Sequence, residues 1–284
     1  MMDSNRNAHN RVVEQPIHRS KLRAKLGRAY YGMLRRTLWV TMRRRFAKTK
    51  AGPLPCVEFC HRTPLLRKLK DVDMQYQYNK IQNLNIAAPK LDGIVLHPGE
   101  VFSYWRLIGR PGARRGYVPG MVLRNGLVTA GVGGGLCQMS NLIFWMTLHT
   151  PLTVVERHRH GYDVFPDSNR TQPFGSGATC FYPHGDLMIR NDTDRDYQLT
   201  VRVGEEFLFG EWRSSSPSGL QYKVVEKNHE MKSQYWGGYT RHNEIHRQCY
   251  DADGNFLNEE FVVGNSAIMM YSPFLSESTS QAAE

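Results

Sequence analysis

The sequence predicts an α+β fold: a single mixed domain with antiparallel strands around a buried central helix, preceded by a basic amphipathic helical arm. Three observations predict it. Gly131 and the run Gly133-Gly134-Gly135 lead through Leu136-Cys137-Gln138 into an apolar segment that ends at Pro151. Glycine allows φ > 0 and close backbone approach, so this reads as a tight loop entering a buried helix. The helix should start near Leu136 and stop before Pro151, because the residue preceding proline avoids the α region. Second, Asn125-Gly126 and Asp253-Gly254 each separate two extended runs, the pattern of a tight hairpin. Third, Leu22, Leu26, Ala29, Tyr30, Met33, Thr37 and Val40 recur three and four apart while Arg23, Arg28, Arg35 and Arg43 largely avoid that stripe.

The chain has 284 residues, 40% hydrophobic and 11% aromatic, which supports a packed core and excludes wholesale disorder. Its formal net charge of +11 favours anionic partners. The five cysteines lack the spacing of a disulfide framework; Cys56, Cys60 and His61 suggest at most a weak metal site, and ordinary free thiols are expected. No apolar run opens the chain as a leader or is long enough to span a membrane, so a cytoplasmic protein is expected.

Residues 1–50 form the expected basic arm, which can dock on the main domain, lie on an anionic membrane surface through residues 20–45, or meet nucleic acid. No groove-reading motif supports the last, and none is expected. Gly52-Pro53-Leu54-Pro55 breaks the arm from a mixed domain over 51–275. There 65–69 is short and basic, 79–91 is helical, 93–97 is a strand, and Pro98-Gly99 is a turn. Phe102, Tyr104 and Trp105 fill the core. Residues 106–116 are an arginine- and glycine-rich loop, followed by a hairpin over 118–123 and 127–130. After the central helix, 151–160 reads as a strand and 163–178 as a loop. The last third is β-rich, with strands over 187–190, 197–203, 207–212, 244–250 and 255–263. Residues 276–284 are a polar tail, expected to be disordered.

The chemistry centres on Cys137. In the first turn of a helix, free N–H groups and the dipole favour an anion, which can lower a thiol pKa and expose a nucleophilic thiolate. The plainer alternative is a small buried thiol filling space. On a strand over 151–160, period 2 puts His158 and His160 on one face as candidate bases. Asp163 or Asp167 in the next loop would orient the base. This is the residue order of papain-like and transglutaminase-like cysteine enzymes, an analogy of order only. Gln138, through its N–H or side chain, would face the oxyanion. Cys137 with the two histidines also suits a metal, but paired zinc-ligand spacings are lacking, and neither metal nor cofactor is expected. Arg110, Arg114 and Arg115 offer guanidinium forks for carboxylate or phosphate. With Gly133, Gly134 and Gly135 at the helix start they would make an anion pocket.

The chain also resembles the VanW family. The resemblance rests on Pro98-Gly99-Glu100-Val101-Phe102-Ser103-Tyr104-Trp105, on Gly116-Tyr117, and on Gly133-Gly134-Gly135-Leu136-Cys137-Gln138-Met139-Ser140-Asn141-Leu142. It continues through Leu148-His149-Thr150-Pro151-Leu152-Thr153, Glu156-Arg157-His158-Arg159-His160, Asp186-Leu187 and Asn191-Asp192-Thr193-Asp194. It covers roughly residues 75–210 well. One position departs: the family often has Asp-Ala-Thr where this chain has Gly177-Ala178-Thr179. If that aspartate orients a histidine elsewhere, the role here falls to Asp163, to Asp167 or to nothing. The resemblance implies a link to glycopeptide resistance and cell-wall precursors, and implies no particular chemistry. Two functions stay open. One is a Cys-His acyl-transfer or amide- or ester-hydrolysing enzyme. The other is a non-catalytic accessory module that binds a peptide- or pyrophosphate-bearing precursor, or a membrane surface.

Overall fold

The structure, a computed structural model, describes residues 20–66, 73–124, 126–164 and 172–273. Expectations for the rest of the arm (1–19), for 67–69, for Asn125, for Asp167 and its loop, and for the tail fall outside them.

Helix α1 (Lys21–Thr41) opens the described chain, with the Ser20 hydroxyl accepting from the Arg23 N–H as its N-cap. Strand β1 (Cys56–Pro64) follows the Gly-Pro break, then α2 (Gln75–Leu91), β2 (Ile94–Leu96), β3 (Val101–Ser103) and a short helix α3 (Tyr104–Ile108). The hairpin is β4 (Pro119–Arg124) and β5 (Leu127–Val132). The central helix α4 (Cys137–Thr147) leads to β6 (Thr153–Glu156) and β7 (Tyr162–Asp163). Next come β8 (Met188–Arg190), β9 (Tyr197–Val203) and β10 (Phe207–Ser214). Three long strands close the described chain: β11 (Gln221–Ser233), β12 (Tyr239–Tyr250) and β13 (Phe256–Met269).

The sheets run β1-β10-β9-β2, β11-β12-β13-β7, β3-β8-β6 and β4-β5, and among the described strands only β7 lies parallel to its neighbour. This is a mixed α+β fold. Helix α4 buries Met139, Leu142, Ile143, Phe144 and Met146, and packs against β1, β10 and β6. Alternation along β10 turns Leu208, Gly210 and Trp212 inward. Gly210 leaves room for Met146 and Leu142, and the Trp212 indole donates to the Thr147 hydroxyl at 3.0 Å. The central helix is therefore held on a sheet, as the glycine-to-apolar pattern implied.

Two expectations need correcting. The strand expected over 151–160 stops at Glu156. Its register against β8 shifts between Val154 and Glu156, and β8 offers only three residues as a ladder. The period-2 argument that put His158 and His160 on one strand face therefore fails. Second, residues 106–108, expected as the start of a loop, end the helix Tyr104–Ile108, because the Ser103 hydroxyl caps the Arg106 N–H and starts a turn that Gly109 ends at φ 76°.

Candidate functional site

The glycine loop is built by close packing. Gly133 and Gly135 lie at φ 78° and 88°, in the left-handed region that suits glycine. A Cβ on Gly134 would lie 2.2 Å from Gly120 backbone, and one on Gly135 would lie 2.3 Å from Lys80 Cγ. Asn83 on α2 ties the loop to the hairpin. Its amide donates to Gly134 O at 2.9 Å and Val118 O at 3.0 Å, and its oxygen accepts from the Val118 N–H. Gly133, Gly134 and Gly135 thus sit against protein, on backbone and side chains of α2, β4 and the Pro111 loop.

Cys137 is the first residue of α4, as expected. Its surroundings differ from those of an activated thiol. The thiol donates to the Cys180 carbonyl oxygen at 3.5 Å, and burial pushes its pKa up. The N–H groups of Gln138 and Met139 are taken by Gly135 O and Leu136 O. Leu136 O also accepts from the buried Tyr104 hydroxyl at 2.8 Å. The Gln138 side chain donates to Thr63 Oγ1 and Pro64 O, joining α4 to β1. Both groups of Gln138 proposed for an oxyanion are therefore engaged.

The segment 177–180 forms a wall beside α4. Ser140 Oγ donates to Ala178 O at 2.7 Å, and Asn141 Oδ1 accepts from the Ala178 N–H at 2.8 Å. On the far side, the Thr179 N–H donates to His158 O at 2.8 Å. Cys137 and His158 thus bond to successive residues of one segment. Among the described residues, neither His158 nor His160 hydrogen-bonds the Cys137 thiol. A Cβ at Gly177 would come within 2.7 Å of Asn141 Oδ1, so an aspartate there would require Asn141 to move.

His158 instead pairs with Glu156, Nε2 to Oε1 at 2.8 Å. Glu156 Oε1 also accepts from Arg35 of α1 and from the Asp186 N–H. Burial raises the Glu156 pKa, but the hydrogen bonds and charges of His158 and Arg35 outweigh it and leave the carboxyl below its ordinary range. His160 is half-buried, its pKa lowered first by burial and then by Arg159. Asp163 lies in a different sheet, where Tyr271 Oη donates to it at 2.9 Å and Arg241 Nη1 is 3.5 Å away. It does not orient His158, whose carboxylate partner is Glu156. Asp167 falls outside the described residues.

Arg110, Arg114 and Arg115 are exposed. Arg115 Nη1 donates to Arg110 O at 3.3 Å, closing the loop on itself. Pro111 of the same loop packs under Gly133, so the arginine loop does adjoin the glycine loop.

Four residues outside the predicted site, Asp186, Arg157, Arg35 and Glu156, tie its surroundings together. Asp186 accepts from Ser103 Oγ at 2.5 Å and from the Trp105 and Leu187 N–H groups, both at 2.9 Å. Burial lifts its pKa to about 6 against the lowering effect of those bonds. Arg157 donates to Gly177 O and Gly175 O and to Asn265 Oδ1, with its pKa lowered to about 10 by burial. Arg35 reaches Glu156 from α1. Asp186, Arg157 and Glu156 all stand in the motifs that carry the family resemblance, which was the available signal. Among the described residues, no group of three His, Cys, Asp or Glu side chains is placed to hold a metal ion.

Known proteins agree with the motifs. The family described as VanW like protein matches residues 79–213. The chain is 40% identical over 199 residues to the vancomycin B-type resistance protein VanW of Enterococcus faecalis, spanning 70% of this chain and 72% of that protein. It is 30% identical over 124 residues to the uncharacterized protein YoaR of Bacillus subtilis, spanning 44% of this chain and 39% of YoaR. No solved structure matches. The extent of the Enterococcus alignment, with the glycine-cysteine motif inside the matched region, settles the kinship: the chain belongs to the VanW family.

Proposed function

We propose that the chain acts in glycopeptide resistance as a non-catalytic accessory module that binds an anionic cell-wall precursor. The link to resistance is drawn from the Enterococcus relative. The observation that carries the non-catalytic reading is the state of Cys137. Burial pushes its pKa up, and its hydrogen bond goes to a main-chain carbonyl instead of a base. A nucleophilic thiol needs the opposite environment, electropositive and within reach of a base. The binding reading is supported by the exposed Arg110, Arg114 and Arg115 beside the glycine loop, where guanidinium forks suit a pyrophosphate or carboxylate.

One observation favours the acyl-transfer reading: Cys137 does open α4, with the His158–Glu156 pair just beyond the 177–180 wall. That chemistry requires the wall to leave, breaking the bonds from Ser140, Asn141 and His158.

Measuring glycopeptide resistance in cells carrying Cys137→Ser, with the melting temperature of the purified variant beside it, tests the proposal. Serine keeps a small O–H donor facing Cys180 O, so resistance is expected to persist, and the melting temperature reads the cost of the longer contact. Loss of resistance at unchanged melting temperature contradicts the proposal and restores the nucleophile. In the same cells Arg114→Ala with Arg115→Ala should reduce resistance. Full resistance in that double variant removes the arginine loop from the account.

A further inference from the structure

We propose that the outward face of α1 docks on an anionic lipid surface, with the helix lying in the plane of the headgroups. This goes beyond the precursor-binding reading and does not rest on it. The apolar stripe of α1 does not face the protein. Leu22, Leu26, Tyr30, Met33 and Val40 are 67%, 61%, 54%, 56% and 68% exposed. The helix is held to the protein by its other side. Gly32 is buried against Pro183, Arg35 bonds Glu156 and His184 O, and the Trp39 indole donates to Ser103 Oγ at 3.2 Å. Gly32 permits that approach, since a Cβ there would sit 3.2 Å from Pro183 Cγ.

The fixed side determines the free side. With Gly32, Arg35 and Trp39 turned inward, the stripe three and four residues apart must turn out. Its surroundings identify the occupant. Every charged residue from Ser20 to Lys50 is Lys or Arg, and Arg23, Lys25 and Arg36 stand exposed on the two borders of the stripe. An exposed apolar face whose charged neighbours are all cations matches an anionic membrane surface, where acyl chains take the apolar side chains and headgroups take the cations. A protein partner burying the same face would have to match cations on both borders. The preceding residues 1–19 have only Val12, Val13 and Ile17 as branched aliphatics, which is little to cover it. Among the described residues no helix is long and apolar enough to cross a membrane, so the attachment is peripheral.

The test is co-sedimentation of the full chain with vesicles of phosphatidylcholine containing phosphatidylglycerol, and with vesicles of phosphatidylcholine alone. Binding is expected to the anionic vesicles, weaker by about tenfold or more on the neutral ones, and falling as salt rises. Leu26→Glu with Met33→Glu should lower anionic-vesicle binding by at least about tenfold. Both residues are exposed, so the melting temperature should hold and separate loss of binding from loss of folding. Equal binding to both vesicle types, or binding unchanged in the double variant, overturns the proposal. A concentration-dependent dimer that the same pair abolishes, without lipid binding, overturns it in favour of a second copy on this face.

Discussion

Asp186 joins β3, α3 and β8 through one carboxyl, which takes the Ser103 hydroxyl and the Trp105 and Leu187 N–H groups. Three donors favour its ionised form, yet burial dominates and its pKa rises from 3.8 to about 6. The sign of the consequence is fixed by linkage. Between these two pH values the folded chain keeps a proton that the unfolded chain has released. This contribution to stability is present at low pH and is lost as pH rises through about 6. Relative to Asp186→Asn, the parent should gain about 2–3 kcal/mol of stability as pH falls from about 7 to about 4. Urea unfolding of both proteins across that range reads the difference, and a gap that does not change with pH would show the carboxyl to be ionised throughout. Nothing in Asp186-Leu187 as a sequence reveals this, because desolvation depends on elements that fold over the residue. The same holds for Cys137. Its place at the start of α4 was legible from the glycine run and Pro151. Its raised pKa was not, because Tyr104 and the 178–180 segment close over it from distant parts of the chain.

The glycine loop and hairpin were legible as elements, and for a physical reason. Gly126, Gly133 and Gly135 all adopt positive φ, and such positions are written in the sequence as glycine. Their purpose was less legible, since packing against Gly120 and Lys80 cannot be told from room for a ligand by spacing alone. Gly134→Ala should cost about 1–3 kcal/mol by forcing the loop off β4. Gly52→Ala, with nothing within 4 Å, should change little. Thermal melts of the two variants check this, and a neutral Gly134→Ala would mean the loop is open. Other elements escaped for identifiable causes. Strand β11 is mostly exposed, so it lacks an alternating apolar face and exists through its ladder with β12. Strand β1 carries Cys56, Cys60 and His61, which drew attention as chemistry; there they are strand residues, with both thiols free. The strand after α4 was read too long because the bulge before Glu156 leaves no mark in composition.

Across the whole molecule, the residues picked for chemistry are present but divided. Cys137, with Tyr104 and Ser140, lies on the α4 side of the 177–180 segment; His158, Glu156 and Arg35 lie on the other, beneath α1. A sequence gives the order of a nucleophile, a base and a carboxylate. It does not give the wall between them, which is held by the Ser140 and Asn141 side chains on the backbone of Ala178 and by the Thr179 N–H on His158 O. The amphipathic stripe of α1 shows the same limit. Its period was plain, while the side that meets the protein is chosen by Gly32, Arg35 and Trp39. The central claim is that the Cys137 thiol, buried and bonded to the Cys180 carbonyl, is not an activated nucleophile. Its most direct test is the rate of Cys137 alkylation against pH, followed by peptide mass spectrometry, in the parent and in His158→Ala and His160→Ala proteins. The account predicts slow modification at neutral pH, an apparent pKa above the ordinary thiol value of about 8.5, and no dependence on either histidine. Fast alkylation well below that pH, lost in one histidine variant, would contradict it and identify a nucleophile with its base.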